Sequence, residues 1–234
     1  MKYFILNKNL NPQEVGMHPH ASKLAPNQEY SVTEDYSFWN IRPFVKLENI
    51  RIPKFIFNYK SKKNDLISIV GIQNADLVIS DKLDSLFDKF ELPLFEKNDL
   101  IIAKKEKAIE YKFIHFIEPL DTQINFEKSE FNVVQGSTKV QEIQFFNFAD
   151  FEDKHSKLLL ANRVSNQLSM SYRPKKIVFF DNLKFDLFAF KSILGLIIIN
   201  EKLANALITN KITGVDILPI EDYKKIEFVL STIS

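Results

Sequence analysis

The chain carries one short pattern twice: an apolar run, a residue that can cap a helix, and an acidic residue. A shift of 120 residues places "LVI" at residues 77–79 on "III" at residues 197–199. Ser80 and Asn200 follow these runs, and a side-chain oxygen at such a position accepts a backbone N–H of the first helical turn. Each copy therefore predicts a strand that ends where a helix begins.

The residues after each cap predict an amphipathic helix and a returning strand. Asp81 and Glu201 lie in the first turn, where the helix dipole favours negative charge. Apolar residues then recur at the spacing of one helix face, namely Leu83, Leu86 and Phe87 in the first copy and Leu203, Ala206 and Leu207 in the second. Pro93 and Gly214 interrupt the helices before apolar residues resume. The alternative is a chance match of apolar spacing.

Other segments complete the predicted secondary structure. Apolar and polar residues alternate as in strands at residues 53–60, 111–120 and 142–148, and a continuous apolar run at 176–181 predicts a covered strand. A helix is predicted within residues 153–171, with Leu168 among its apolar positions and Pro174 as its stop.

These elements predict an α+β fold. We expect mixed, largely antiparallel sheets with two repeated strand–helix–strand units, near residues 76–104 and 192–225. Residues 1–65 are expected to form an N-terminal strand and a Pro-rich loop region, and residues 66–234 an α+β body. The two parts are expected to form one compact unit.

The composition restricts the chemistry of the protein. The absence of cysteine excludes disulfides, thiolate catalysis and Cys-based zinc sites, and it fits a reducing cytoplasm. The 31 basic and 30 acidic residues nearly cancel, so no overall field attracts nucleic acid or an anionic membrane. Basic residues beside tyrosines at 59–65 and 171–176 would suit nucleic acid, but lysine-rich turns explain them more simply. We expect no nucleic-acid partner.

No segment is apolar over the length that a bilayer requires. The apolar run near the N-terminus is too short for a signal peptide, and the longest uncharged apolar stretch covers only residues 193–199. A membrane-spanning helix needs roughly 20 apolar residues. We therefore expect a cytoplasmic protein without a membrane partner.

Four segments together resemble a known family. They are "DLVISDKLDSLF", "YKFIHFIEPLDTQINFEKSEF", "FDLFAF" and "LIIINEKLANALITNKITGVDIL", which occur in this order within residues 66–225. The chain resembles the bacterial polymorphic-toxin immunity proteins of the immunity-protein-11 class, named after a Myxococcus representative. The resemblance implies a protein that binds and neutralises a cognate toxin, without catalytic residues or a cofactor. The N-terminal third has no counterpart in this pattern.

Glu14, His18 and His20 are the candidates for a metal site. Imidazole and carboxylate groups are ligands of zinc, nickel and iron, and Pro19 restricts the backbone between the histidines. No further strong ligand follows at a defined spacing, so a solvated loop with two incidental histidines is the simpler interpretation. We therefore predict no bound metal and no cofactor.

The loop "EYSVTEDYSFWNIRP" supplies the candidates for partner binding. Tyr36 and Trp39 are of the residue types that anchor protein interfaces, and Glu34 and Asp35 would suit a basic toxin. Alternatively, Phe38 and Trp39 attach the loop to the core.

The common motifs of hydrolases, nucleotide-binding proteins and zinc proteases are absent from the sequence. The prediction is a non-enzymatic immunity protein. The alternatives are a small enzyme with dispersed site residues and a general protein-interaction module.

Overall fold

The structure, a computed structural model, describes residues 2–72, 75–105, 107–164, 169–180, 183–193 and 196–230. Within these residues it has an α+β fold with fourteen strands, in mostly antiparallel, partly mixed sheets, and four α-helices. The predicted fold class is confirmed. No helix in the described ranges combines the length and the apolar character needed to cross a membrane.

The strands are β1 (Tyr3–Lys8), β2 (Ala21–Leu24), β3 (Phe55–Phe57), β4 (Leu66–Ile67), β5 (Leu77–Ile79), β6 (Phe95–Lys104), β7 (Lys107–Phe116), β8 (Glu130–Gln135), β9 (Thr138–Ile143), β10 (Met170–Phe179), β11 (Leu187–Ala189), β12 (Ile197–Asn200), β13 (Val215–Pro219) and β14 (Glu227–Leu230). The helices are α1 (Pro12–Val15), α2 (Asp81–Phe87), α3 (Phe148–Val164) and α4 (Glu201–Thr209).

The chain divides into two compact units. The first comprises Met1–Pro119, Phe185–Ala189 and Leu194–Leu218, and the second comprises Leu120–Lys184, Phe190–Ile193 and Pro219–Ser234. Within the first unit, β1 pairs with β12 and β3 pairs with β6. Pairing between strands far apart in sequence thus joins residues 1–65 to the body of the first unit.

Two halves of the first unit share one strand arrangement. Its six-stranded sheet has the order β2-β3-β6-β7-β5-β4, and its four-stranded sheet has the order β11-β12-β1-β13. β5 runs antiparallel to β4 and β7, and β12 runs antiparallel to β11 and β1. In each half a helix follows the central strand and leads to another strand, which confirms the two repeated strand–helix–strand units. β7 lies beside β5 in the first half. In the second half the equivalent position, beside β12, is occupied by β1, the first strand of the sequence.

The helix caps of the two units are those that the sequence predicts. The side-chain oxygen of Ser80 accepts the N–H of Leu83, and that of Asn200 accepts the N–H of Leu203. Both helices bury their apolar faces in the same hydrophobic core. In α4 the fully buried alanine is Ala204, whereas the predicted Ala206 is half-buried and packs at the margin of the core.

The second unit has one sheet of order β14-β10-β8-β9, on which α3 packs. Phe151 of this helix contacts the rings of Phe126, Phe131 and Phe145, and the four rings form an aromatic cluster. Here two predictions are wrong in part. The predicted strand 142–148 ends at residue 143, because residue 148 already begins α3. Pro174 does not stop a helix: it lies within β10, where the register with β8 shifts, as suits a residue that lacks an N–H.

The helix predicted within 153–171 begins earlier, at residue 148, and is described as far as residue 164. Its predicted apolar position Leu168 lies outside the described residues. The other predicted strands correspond to β3, β7 and the end of β10.

Candidate functional site

A buried aromatic ring helps to attach the loop between β2 and β3, residues 25–54, to the first unit. The Ser37 side chain caps a single 3-10 turn, Phe38–Asn40, and this turn directs Phe38 inward. The Phe38 ring is fully buried and lies 5.7 Å from the ring of Phe55 and 5.3 Å from that of Phe113. Phe38, together with the buried Ile41, therefore attaches this part of the loop to the core.

Trp39 is anchored on one side and exposed on the other. Its ring contacts the rings of Tyr30, Phe38 and Phe55, yet 37% of the residue is exposed. The indole lies against Gly71, where a Cβ atom would come within 2.7 Å of Trp39 Nε1. The loop thus presents a tryptophan whose orientation is fixed by its neighbours.

Two tyrosines extend this surface. The rings of Tyr30 and Tyr36 are 5.8 Å apart, and the guanidinium of Arg51 lies 5.2 Å from the centre of the Tyr36 ring. The hydroxyl of Tyr30 accepts the N–H of Phe38, and the hydroxyl of Tyr36 accepts the N–H of Ser31 at 3.3 Å. Tyr30, Tyr36 and Trp39 form a set of restrained rings, which we call the aromatic surface.

Glu34 and Asp35 directly precede Tyr36 and are exposed. Their backbone carbonyls accept hydrogen bonds from Asn40 Nδ2 at 2.9 and 3.4 Å, which fixes the turn. No described residue forms an ion pair with either carboxylate. The structure therefore places all four predicted partner-binding residues in one ordered turn, with both negative charges facing water.

The second half of the loop is held by titratable groups. Val45 O accepts a hydrogen bond from His115 Nε2 at 2.7 Å, and Leu47 N donates to Glu96 Oε2 at 2.8 Å. Beside these contacts, Leu47, Ile50 and Ile52 line a groove of about 310 Å³. Its polar side is formed by residues at the start of β6, among them Glu96.

His115 belongs to a fully buried pair. Its Nδ1 lies 3.0 Å from Asp76 Oδ1, and the two side chains are 0% and 2% exposed. Burial alone would lower the pKa of His115, but the hydrogen bond and charge of Asp76 raise it. Burial raises the pKa of Asp76 in spite of the same hydrogen bond. This pair was not predicted from the sequence, although a histidine on the inward face of an aromatic strand is a signal that a buried partner exists.

Of the three candidate metal ligands, the structure brings together only His18 and His20, whose ring centroids are 6.4 Å apart. The carboxylate of Glu14 accepts hydrogen bonds from the side chains of Asn9 and Asn11. His18 and His20 both contact the hydroxyl of Ser68, at 2.7 and 3.1 Å. Within the described part of the chain, no three His, Cys, Asp or Glu side chains are arranged to hold a metal ion.

No protein-family model and no curated protein matches the chain.

Proposed function

We propose that this protein is a cytoplasmic immunity protein, which binds a bacterial toxin through the aromatic surface and thereby neutralises it. The observation that carries the proposal is the position of Trp39, which is anchored by three rings and still partly exposed. The resemblance of four ordered segments to immunity proteins supports the same function.

The geometry of the surface suits tight binding. Aromatic side chains supply most of the binding energy at many interfaces, especially where they are central and well packed. Because neighbouring rings and hydrogen bonds already restrain Tyr30, Tyr36 and Trp39, they lose little conformational freedom on binding. A groove lined by Leu47, Ile50 and Ile52 offers a recess on the same loop.

The charge of the turn indicates the kind of toxin. Glu34 and Asp35 are exposed and have no described cationic partner, so they attract a basic surface and speed its association. A toxin that acts on nucleic acid would carry such a surface, since it must bind phosphates. Binding through these carboxylates would weaken as salt is added.

The test is a pull-down of the product of the adjacent gene with the purified full chain, repeated over a salt series. Trp39→Ala is expected to weaken binding at least about tenfold, as loss of an interface anchor does. The matched control is Tyr59→Ala, which removes an aromatic residue that is 85% exposed in the same unit.

A growth assay separates neutralisation from mere binding. Cells that express the toxin should survive with the wild-type chain or Tyr59→Ala, and should lose protection with Trp39→Ala. Wild-type chain that binds the toxin without protecting the cells would instead favour a general interaction module. Absence of both binding and protection would refute the proposal.

The second candidate function is that of a small enzyme with dispersed site residues. The contact of the Ser68 hydroxyl with two imidazoles is the observation that favours it.

A further inference from the structure

Ser68 directly follows β4 and lies against the segment that carries His18 and His20. The backbone fixes this approach, because His20 N donates to Ser68 O at 2.9 Å and Val70 N donates to Ala21 O at 3.1 Å. The side chains of Ser68 and His20 are buried, whereas His18 is exposed. A serine hydroxyl is therefore held between one buried and one exposed imidazole.

The hydrogen bonds of His20 determine its tautomer. Ser68 N donates to His20 Nδ1 at 3.2 Å, so Nδ1 carries a lone pair and no proton. His20 Nε2 lies 3.3 Å from Asn64 Oδ1, which can only accept, so Nε2 carries the proton. Burial lowers the pKa of His20, which keeps the ring neutral. The single lone pair of Nδ1 is thus occupied by the Ser68 amide.

The proton of the Ser68 hydroxyl consequently points to the other imidazole. His18 Nδ1 lies 2.7 Å from Ser68 Oγ, closer than His20 Nδ1 at 3.1 Å. His18 is exposed as a residue, but partial desolvation of its ring and the positive charge of Lys8 lower its pKa, which favours the neutral ring that can accept the proton. A neutral imidazole in this position is the arrangement that activates a serine.

We propose that Ser68 is a nucleophilic serine for which His18 is the general base, and that the pair cleaves small esters with short acyl groups. The size limit follows from burial, since Ser68 is only 7% exposed and a bulky acyl group could not approach Oγ. Lys8 places a positive charge near His18, and burial lowers the pKa of Lys8 itself to about 8.

The steps balance with water as the only co-reactant. Ser68 Oγ gives its proton to His18 Nδ1 and bonds to the carbonyl carbon of the ester. The bond between that carbon and the alcohol oxygen breaks, and His18 returns the proton to the departing alcohol. A water molecule then attacks the acyl-serine with the same help from His18, which releases a carboxylic acid and restores the Ser68 hydroxyl.

The decisive experiment uses the purified full chain and methanesulfonyl fluoride, a reagent that sulfonylates activated serines and is small enough to meet the size limit on the acyl group. We expect one label per chain, and peptide mapping should place it on Ser68. Ser68→Ala should abolish labelling, and His18→Ala should slow it about 100-fold, in line with the contribution of a general base. Hydrolysis of p-nitrophenyl acetate should fall in parallel.

The matched control is Ser22→Ala in the neighbouring strand β2. The Ser22 hydroxyl donates to an amide oxygen, Asn58 Oδ1, at 3.1 Å rather than to an imidazole, so labelling should be unchanged. An unlabelled wild-type chain, under conditions that label a known serine hydrolase, would overturn the proposal. Label mapped to another serine would overturn it as well, and neither result depends on whether the Ser68 variant folds.

Discussion

Asp65 and Asp186 make equivalent contacts at the starts of the two repeated helices. Asp65 Oδ1 accepts a hydrogen bond from the capping Ser80 hydroxyl at 2.7 Å, and Asp186 Oδ1 accepts one from the capping Asn200 amide at 2.7 Å. The backbone carbonyls of the same aspartates accept the N–H groups of the two caps, at 2.8 and 3.0 Å. Each aspartate therefore holds the residue that begins its own helix.

The second oxygen of each aspartate binds the opposite half of the first unit. Asp65 Oδ2 accepts the N–H of Thr213, which follows α4, at 2.9 Å. Asp186 Oδ2 accepts the N–H of Glu91, which follows α2, at 2.8 Å. The exchange is reciprocal, so the two halves are joined as the subunits of a two-fold dimer would be. The repeat thus forms a structural frame, and the aromatic surface lies on an unrepeated loop.

The first prediction concerns the stability of this frame. Asp186→Ala removes hydrogen bonds to Asn200 and Glu91 from a residue that is only 6% exposed, and it leaves polar groups unpaired. We expect the free energy of unfolding to fall by about 3 kcal/mol, because buried hydrogen bonds to a charged group are costly to lose. Urea denaturation followed by circular dichroism measures this. Asp216→Ala, an exposed acid in β13, should change the value by less than about 0.5 kcal/mol; equal effects of the two substitutions would contradict the interpretation.

The two caps could be predicted from the sequence, whereas the aspartates could not. Ser80 and Asn200 bond to the N–H three residues ahead, so a local pattern is enough. Asp65 bonds to Thr213, 148 residues away, and nothing in the local sequence indicates that partner. For the same reason, the pairing of β1 with β12 and the position of Pro174 within a strand became clear only from the structure.

The candidate site was predictable to a similar extent. The acidic and aromatic residues of the loop predicted a partner-binding surface. The residue types alone, however, could not separate the buried Phe38 from the partly exposed Trp39. That distinction depends on the 3-10 turn capped by Ser37 and on the space beside Gly71. The Ser68 contacts were not predictable, because they join residues 48 and 50 positions apart.

The second prediction is a loss of stability in acid through Asp65. Burial would raise the pKa of Asp65, but the hydrogen bonds from Thr213 and Ser80 outweigh it and the pKa is lowered below 3.8. A depressed pKa in the folded state contributes stability that is present above the unfolded pKa and lost as the pH falls through the folded pKa. Between pH 5 and 2, the wild-type chain should therefore lose more free energy of unfolding than Asp65→Asn. The free energy of unfolding is measured by urea denaturation at each pH. If it fell equally with pH for the two proteins, Asp65 would not titrate in this way.

The third prediction concerns alkaline pH and the buried pair of His115 and Asp76. The pKa of His115 is raised above 6.5, so its contribution is fully present below pH 6.5 and is lost as the pH rises through the folded-state value. The loss is about 1.4 kcal/mol for each unit by which the pKa is raised. The reference is the double variant His115→Phe with Asp76→Leu, which removes both titrating groups. Free energies of unfolding measured from pH 6 to 9 should fall for the wild-type chain relative to this variant, and an unchanged difference would count against the assignment.

The fourth prediction tests the packing beneath the aromatic surface. Gly71 has φ +89°, and a Cβ atom there would come within 2.7 Å of Trp39 Nε1, so Gly71→Ala should displace the indole. Gly136 is the matched control: its φ of +61° imposes the same kind of backbone cost, but nothing lies within 4 Å of a Cβ atom. Trp39 is the only tryptophan, so its fluorescence reports on this site alone. Gly71→Ala should shift the emission to longer wavelength and weaken partner binding, whereas Gly136→Ala should do neither. Identical spectra for the two variants would mean that Gly71 does not support the position of Trp39.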